Sequence, residues 1–405
     1  MDRRKFIKTS ICAGCVAALS GCSLFNQKKN EMRPEYRFKL KNVEQVSKRI
    51  RLEACNDCQL NCYECWMRKI DPEKINKVGG FGYLKFKDFK DFIDKNSFVN
   101  EIELSNNGEI FLNPELNDII KYAYEKGIKL TAHNGVNLNT VSDETLENLV
   151  KYNFEVITVS MDAATPEVYL KYRRGGDFNT VIDNIKKINK FKAQYNKDHP
   201  YLNYQFIVFG HNEHEIDAAK KLAKELDMEI YFVKNLAEGF SPIKDVKTVE
   251  EKTGLKYPEY RDNLKEDENG DKVSSAISKY RVPETAEVAG TVDAPEMTEN
   301  NETTNREEIN PDDIFCYQFN HSPQINFNGD FLGCCTLVTE NFGVNVFEVG
   351  LLEAMNSDKI LRAKLMLSDF SVEPMEDIPC TRCGIYYDLL KGNNHPLTFP
   401  ESETD

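Results

Sequence analysis

Cys58-Gln59-Leu60-Asn61-Cys62-Tyr63-Glu64-Cys65 puts three thiols inside eight residues. A loop this short can turn all three side chains towards one point. Three thiolates bind three irons of a cubane [4Fe–4S] cluster and leave the fourth iron without a protein ligand. An open iron beside a pocket is a reaction site, as catalytic zinc keeps an open position and structural zinc does not. Cys55 lies just upstream, so Cys55, Cys58, Cys62 and Cys65 offer the alternative of a four-thiolate zinc knot. Zinc ribbons usually separate their two cysteine pairs by a longer span, and the spacing here favours the cluster.

Working outward, Arg49–Glu53 reads as a strand leading into the thiols. Further strands are expected at Glu101–Ser105, Ile128–Ala132, Glu155–Ser160, Asn203–Phe209 and Glu229–Val233. Between them Phe86–Lys95, Pro114–Lys126, Asp143–Tyr152, Phe178–Phe191 and Glu213–Leu226 carry apolar residues at helical spacing. Asn113 before Pro114 predicts an N-cap, and Gly127 a helix stop. Strand–helix alternation with short connections means parallel strands and right-handed crossovers. Six such units predict an α/β fold, a partial (β/α)6 TIM-like barrel over residues 48–240. A small C-terminal α+β domain, whose iron–sulfur character rests on the resemblance given below, is expected over 313–392.

The polar residues gather where such a barrel needs them, at the carboxyl ends of the strands. Asn107-Gly108-Glu109 follows strand two, His133-Asn134-Gly135 strand three, and Ser160-Met161-Asp162 ends strand four. His211-Asn212 and Asn235 follow strands five and six. His133, His211 and His214 read as hydrogen-bonded rim residues and receive no catalytic role.

The chain of 405 residues is 40% hydrophobic and 29% charged, which suits two or three domains. A net charge of −14 argues against a nucleic-acid partner, whose backbone is held by Lys and Arg. The 12 cysteines fall near the N-terminus, at 55–65 and beyond 315, a two-site pattern that favours metal ligation over disulfides. Residues 1–25 read as a targeting segment. Arg3-Arg4 is similar to a twin-arginine export signal, a short apolar run follows, and Leu19-Ser-Gly-Cys22 resembles a lipoprotein processing site. That order implies an extracytoplasmic chain attached to a membrane through lipidated Cys22, and a cytoplasmic one if the signal is unused. By composition 26–47 is a linker, 241–312 a loosely ordered acidic insert and 393–405 a tail.

The C-x3-C-x2-C spacing resembles the signature of the radical S-adenosylmethionine (radical SAM) enzymes, and the resemblance covers roughly residues 49–235. It implies that the open iron chelates SAM and that the reduced cluster cleaves it to a 5′-deoxyadenosyl radical for hydrogen abstraction. Asn107-Gly108-Glu109 looks like the family's Gly-Gly-Glu element, which holds the amino group of SAM's methionine; Asn107 replaces the first glycine. By the same resemblance Ser160 and Asp162 meet the ribose, and Arg173 or Arg174 the SAM carboxylate. The family commonly has an aromatic residue where this chain has Glu64, with Tyr63 and Trp66 flanking the gap as adenine contacts. Cys316, Gly329 and Cys334, followed by Cys380-Thr-Arg-Cys383, resemble a SPASM-like auxiliary domain. Gln324–Cys334 reads as two short strands around an Asn-Gly turn that brings Cys316 and Cys334 together. Four cysteines, with Cys335 as a spare, fit one further 4Fe-4S cluster, and a zinc site stands as the alternative. The resemblance implies a peptide or protein substrate and an electron donor such as a flavodoxin or ferredoxin. A rival of another class is an exported iron–sulfur electron-transfer or binding protein that has lost SAM chemistry.

Overall fold

Polar and apolar residues alternate along the strands of the main sheet, so each strand sends one set to each face. The strands are β1 (Arg49–Leu52), β2 (Glu101–Glu103), β3 (Lys129–Val136), β4 (Val156–Ser160), β5 (Tyr201–Val208) and β6 (Glu229–Lys234). After a two-stranded ribbon of β7 (Leu264–Glu266) and β8 (Lys272–Ser274) comes β9 (Gln324–Ile325). The sheet order is β6-β5-β4-β3-β2-β1-β9, parallel throughout. This computed structural model describes residues 33–63, 65–235, 240–257, 264–266, 272–274, 316–334 and 338–390.

Ile50, Leu52, Ile102, Ile157, Val159 and Phe206 belong to the apolar set and share one buried core with Phe89, Phe92, Ile119 and Leu149 of the helices. The polar set faces the inside of the partial barrel, with Arg51, Glu103 and Thr131 in lateral register. Thr158 and Asn203 pair in the same way, as do Ser160 and Gln205. The covering helices include Phe86–Lys95, Leu116–Lys126, Asp143–Lys151, Phe178–Tyr195 and Ile216–Glu225. Ser142 and Asp177 cap two of them through side-chain oxygens, and Gly127 ends a third in the left-handed region at φ +72°.

Several expectations change. Asn113 does not cap the second helix, which starts after Glu115. It is buried instead, and its amide donates to the Ala54 and Leu84 carbonyls at 3.0 and 2.9 Å, tying the chain before the thiols to the next loop. β3 runs on to Val136, so His133-Asn134-Gly135 lie within an irregular strand rather than beyond it. Gly135 sits there at φ +106°, where a Cβ would lie 2.4 Å from the Ser160 Oγ.

Residues 33–47 are no open linker. Pro34–Phe38 forms a 3-10 turn with Phe38 buried, and Leu40 exchanges hydrogen bonds with the Asn356 side chain. Likewise 241–257 is packed: the helix Val246–Thr253 is capped by Asp245 and followed by buried Tyr257. The expected hairpin resolves into β9 and a bridge from Ile325 to Phe331, with Gly329 at φ +89°. Phe319, Phe331, Leu351 and Ile360 join the same core as the barrel. The 1–25 segment with Cys22, Glu64, Cys335 and the 393–405 tail lie outside the described residues. Among the described residues no helix is long and apolar enough to cross a membrane.

Candidate functional site

The thiol loop is held from three sides. Its backbone donates from Asn61 to the Arg174 carbonyl at 2.8 Å and from Tyr63 to the Tyr172 carbonyl at 3.1 Å. Asn56 exchanges bonds with Gly80 and Gly82, and the Arg68 Nε donates to the Leu60 carbonyl at 2.9 Å. Gly108 presses on the loop from strand two, where a Cβ would sit 2.3 Å from the Cys55 carbonyl oxygen. The Glu109 N–H donates to the Asp57 carbonyl at 2.8 Å. Gly108 is therefore required for contact between two loops of the protein.

Cys58, Cys62 and Cys65 are each half-buried, whereas Cys55 is buried with its thiol turned to the Asp57 carbonyl. Nitrogen donors meet two of the sulfurs: the Asn137 amide lies 3.6 Å from Cys58 and an Arg173 Nη 3.8 Å from Cys62. Such donors suit thiolates bound to a cluster. Burial pushes the Cys58 thiol up to about 11 and Cys55 to about 12. Burial also raises Cys62, opposed by Arg173. Iron would reverse that preference and release the protons, because only thiolates ligate. Among the described residues no group of three His, Cys, Asp or Glu converges as a single ion requires.

Asn137, the residue just past β3, was missed by sequence reasoning. Its backbone N–H donates to a Glu109 oxygen at 2.6 Å, and its side chain reaches Cys58 and exchanges bonds with Gln59. Its only signal was the pair Asn137 and Asn139 after a strand whose end was set too early. Glu109 is buried, and burial raises it to about 7 against the pull of the Asn137 and Phe111 amides and Arg173. Asn107 and Gly108 stand beside it, and Ser160 closes β4 with its hydroxyl 3.3 Å from the Gln205 oxygen.

Asp162 and Arg173 do not present themselves separately to a ligand, as sequence reasoning expected. Asp162 holds a left-handed turn at φ +53° and is fully buried. Its carboxylate accepts the Arg173 Nε at 2.6 Å and the Ile207 N–H at 2.7 Å. Asp162 therefore acts on the mouth through Arg173, and Arg173 faces Cys62. Arg174 instead lies over the Tyr63 ring, which stacks on Phe240 at 4.0 Å. Trp66 is exposed.

A second set of thiols comes from three segments. Cys316 precedes the helix Tyr317–His321, Cys334 follows Gly333, Cys380 lies within the 3-10 turn Pro379–Arg382, and Cys383 ends that turn. Burial raises Cys380 well above the usual thiol range, and the charges of Cys334, Cys316 and Cys383 add to the effect. Among the described residues no disulfide forms.

Residues 52–223 match the family model described as the Radical SAM superfamily. No curated protein matches the chain in sequence. Its fold is similar to that of Streptococcus suis SuiB, solved bound to precursor peptide SuiA. The TM-score is 0.52 at 15% identity, over 88% of this chain and 76% of that one. BtrN, solved in complex with AdoMet and 2-DOIA, aligns at TM-score 0.39 and 12% identity over 80% of this chain and 87% of that one. The thiol loop, the Gly108 contact and the Asn137 and Arg173 donors all fall inside the matched span, so residues 52–223 are a radical SAM domain, the domain of an enzyme class.

Proposed function

We propose that this enzyme modifies a peptide or protein substrate, with SAM bound beside Cys58, Cys62 and Cys65. The observation that carries the site is the pairing of thiols with donors, Cys58 with Asn137 and Cys62 with Arg173. Bound there, a 4Fe-4S cluster and SAM supply reductive SAM cleavage and hydrogen abstraction. The chain's own residues position and shield. Glu109 orients Asn137 and offers its remaining lone pairs to the methionine ammonium, beside Asn107 and Gly108. Ser160 serves the ribose, Asp162 fixes Arg173, and Arg173 donates to the cluster sulfur. A peptide substrate is supported by the fold shared with a protein solved on a precursor peptide.

Cys316, Cys334, Cys380 and Cys383 hold a second 4Fe-4S cluster in this reading, supported by the mutual influence of their thiols. A flavodoxin or ferredoxin supplies electrons. Arg3-Arg4 and Cys22 direct export and lipid attachment; lysine replacements at both arginines, with fractionation, test that. The central test is anaerobic reconstitution with SAM and dithionite. The expected result is 5′-deoxyadenosine and roughly eight irons per chain. Alanine at Cys58, Cys62 and Cys65 should remove about half the iron and all SAM cleavage. Absence of 5′-deoxyadenosine from iron-replete protein would overturn the reading.

A further inference from the structure

Two acids on the inner side of β1 and β2 differ in one respect. Glu103 is buried and its carboxylate takes four donors: the Ser105 N–H and hydroxyl at 3.0 and 2.6 Å, and the Thr131 hydroxyl and His133 N–H, both at 2.8 Å. Glu53, just past β1, is 0% exposed, and neither of its oxygens has a partner. The Asn107 backbone and side-chain amides and the Gly108 N–H point at it and oppose the rise that burial causes, but none closes to full hydrogen-bond geometry.

One strand across, Gln324 is also 0% exposed, with both its amide nitrogen and its oxygen unpaired. β9 sets Gln324 in register with Arg51, whose Nε is likewise buried and unpaired. The Glu53 N–H continues the ladder by donating to the Ile325 carbonyl at 3.0 Å. Glu53 follows Arg51 by two residues, so the three side chains leave the same face. Two steps along one strand and one strand across separate the Glu53 and Gln324 Cα atoms by roughly 8 Å. Proteins pair the large majority of buried polar groups, because an orphan loses its hydration with no bond to replace it. Three in adjacent register, beside an acid with every bond made, mark a patch whose partner comes from outside the chain.

We propose that Glu53, Gln324 and Arg51 form a substrate subsite that takes an uncharged amide, the group a peptide backbone presents. This deepens the peptide reading above and rests on it. An amide offers one N–H and one C=O at fixed spacing. Glu53 accepts the N–H, Arg51 donates to the C=O, and Gln324 has both complementary groups. An ammonium would satisfy Glu53 but leave the Arg51 and Gln324 donors unpaired. A phosphate or carboxylate would meet Arg51 and lie against Glu53.

The test uses the full chain, reconstituted anaerobically, with N-methylacetamide as probe and methyl acetate as its ester control, read by saturation-transfer NMR. The expected result is at least fivefold stronger transfer to the amide, lost in Glu53→Met and in Gln324→Met, with SAM binding kept. Equal transfer to amide and ester overturns the proposal, and that wild-type ratio decides alone if the variants do not fold. Variants that lose SAM binding but keep the amide preference also overturn it, because the patch then belongs to SAM. A ligand-free measurement adds a second check. Removing an orphaned group should raise the urea midpoint of the free protein, whereas a structural role for Glu53 or Gln324 predicts a lower one. Peptide turnover without amide preference sinks the subsite alone. Amide preference without turnover of any peptide leaves the subsite standing and sinks the peptide reading.

Discussion

Arg173 reaches the Cys62 sulfur at 3.8 Å while its Nε is held by Asp162 at 2.6 Å. The carboxylate aims the guanidinium, and the guanidinium acts on the thiol. Removing one partner of such a buried pair leaves an uncompensated charge, typically at a cost of about 3–5 kcal/mol. Asp162→Ala should lose about that much in urea unfolding, and Asp162→Ala combined with Arg173→Met should recover part of it. A simple sum of the two single losses would contradict the coupling.

In the proposed site Arg173→Met removes a positive donor from the Cys62 sulfur, a cluster ligand there. Hydrogen bonds to the sulfurs and net charge set cluster potentials. The variant's cluster should therefore become harder to reduce, which a dithionite titration followed by EPR would detect. An unchanged potential would mean that Arg173 serves packing only.

Gly108→Ala should cut both iron content and SAM cleavage while the barrel stays folded. The added Cβ would meet the Cys55 carbonyl at 2.3 Å and the Asp57 carbonyl at 2.5 Å, both backbone atoms that cannot swing aside. Iron per chain and far-UV circular dichroism separate the two effects. Full iron loading in the variant would show that the loops can part without loss.

Lys364 is buried, and its ammonium lies 3.5 Å from the Met355 carbonyl. Burial lowers it from 10.5 to about 8. Unfolded chains then bind the proton more tightly than folded ones between pH 8 and 10.5, so the penalty is full below pH 8 and fades as pH rises through that window. Lys364→Met should gain about 2–3 kcal/mol at pH 7. The gain should shrink towards pH 10, as paired urea titrations would reveal; a constant gain would reject the cause.

His211 has both ring nitrogens buried without partners, against Phe209 and Phe240. Burial, then Lys171, His214 and Lys244, lower it to about 4. Stability should therefore fall as pH drops from 6.5 towards 4, where the unfolded state binds the extra proton. His211→Phe should flatten that part of the profile in urea midpoints at pH 7, 5.5 and 4.5. An identical slope would assign the acid sensitivity elsewhere.

Much of the fold was legible because the sheet is two-faced. Phe86–Lys95 was read to the residue, since its apolar stripe and its neighbours agree. The thiols and Glu109 announced themselves by spacing and rim position. β9 was read as one strand of a hairpin, but its place beside β1 could not be read, because two residues pairing with a strand far away leave no local signal of that partner. Phe38 and Tyr257 were lost in polar stretches where a single buried ring anchors the chain. Asp162 and Arg173 were assigned to a ligand one by one. Their pairing depends on a left-handed turn that an aspartate adopts without the glycine that would have signalled it.

β1 leads into the thiols, yet its outer neighbour is β9, whose Gln324 and Ile325 pair with Arg51 and Leu52. During synthesis the first strand leaves the ribosome long before the strand that closes its edge. At 5–20 residues per second the interval is roughly 15–50 s. For that time β1 has an open edge, ready to pair with another chain. A nascent chain stalled before residue 324 therefore carries every cysteine of the first loop on an unfinished sheet.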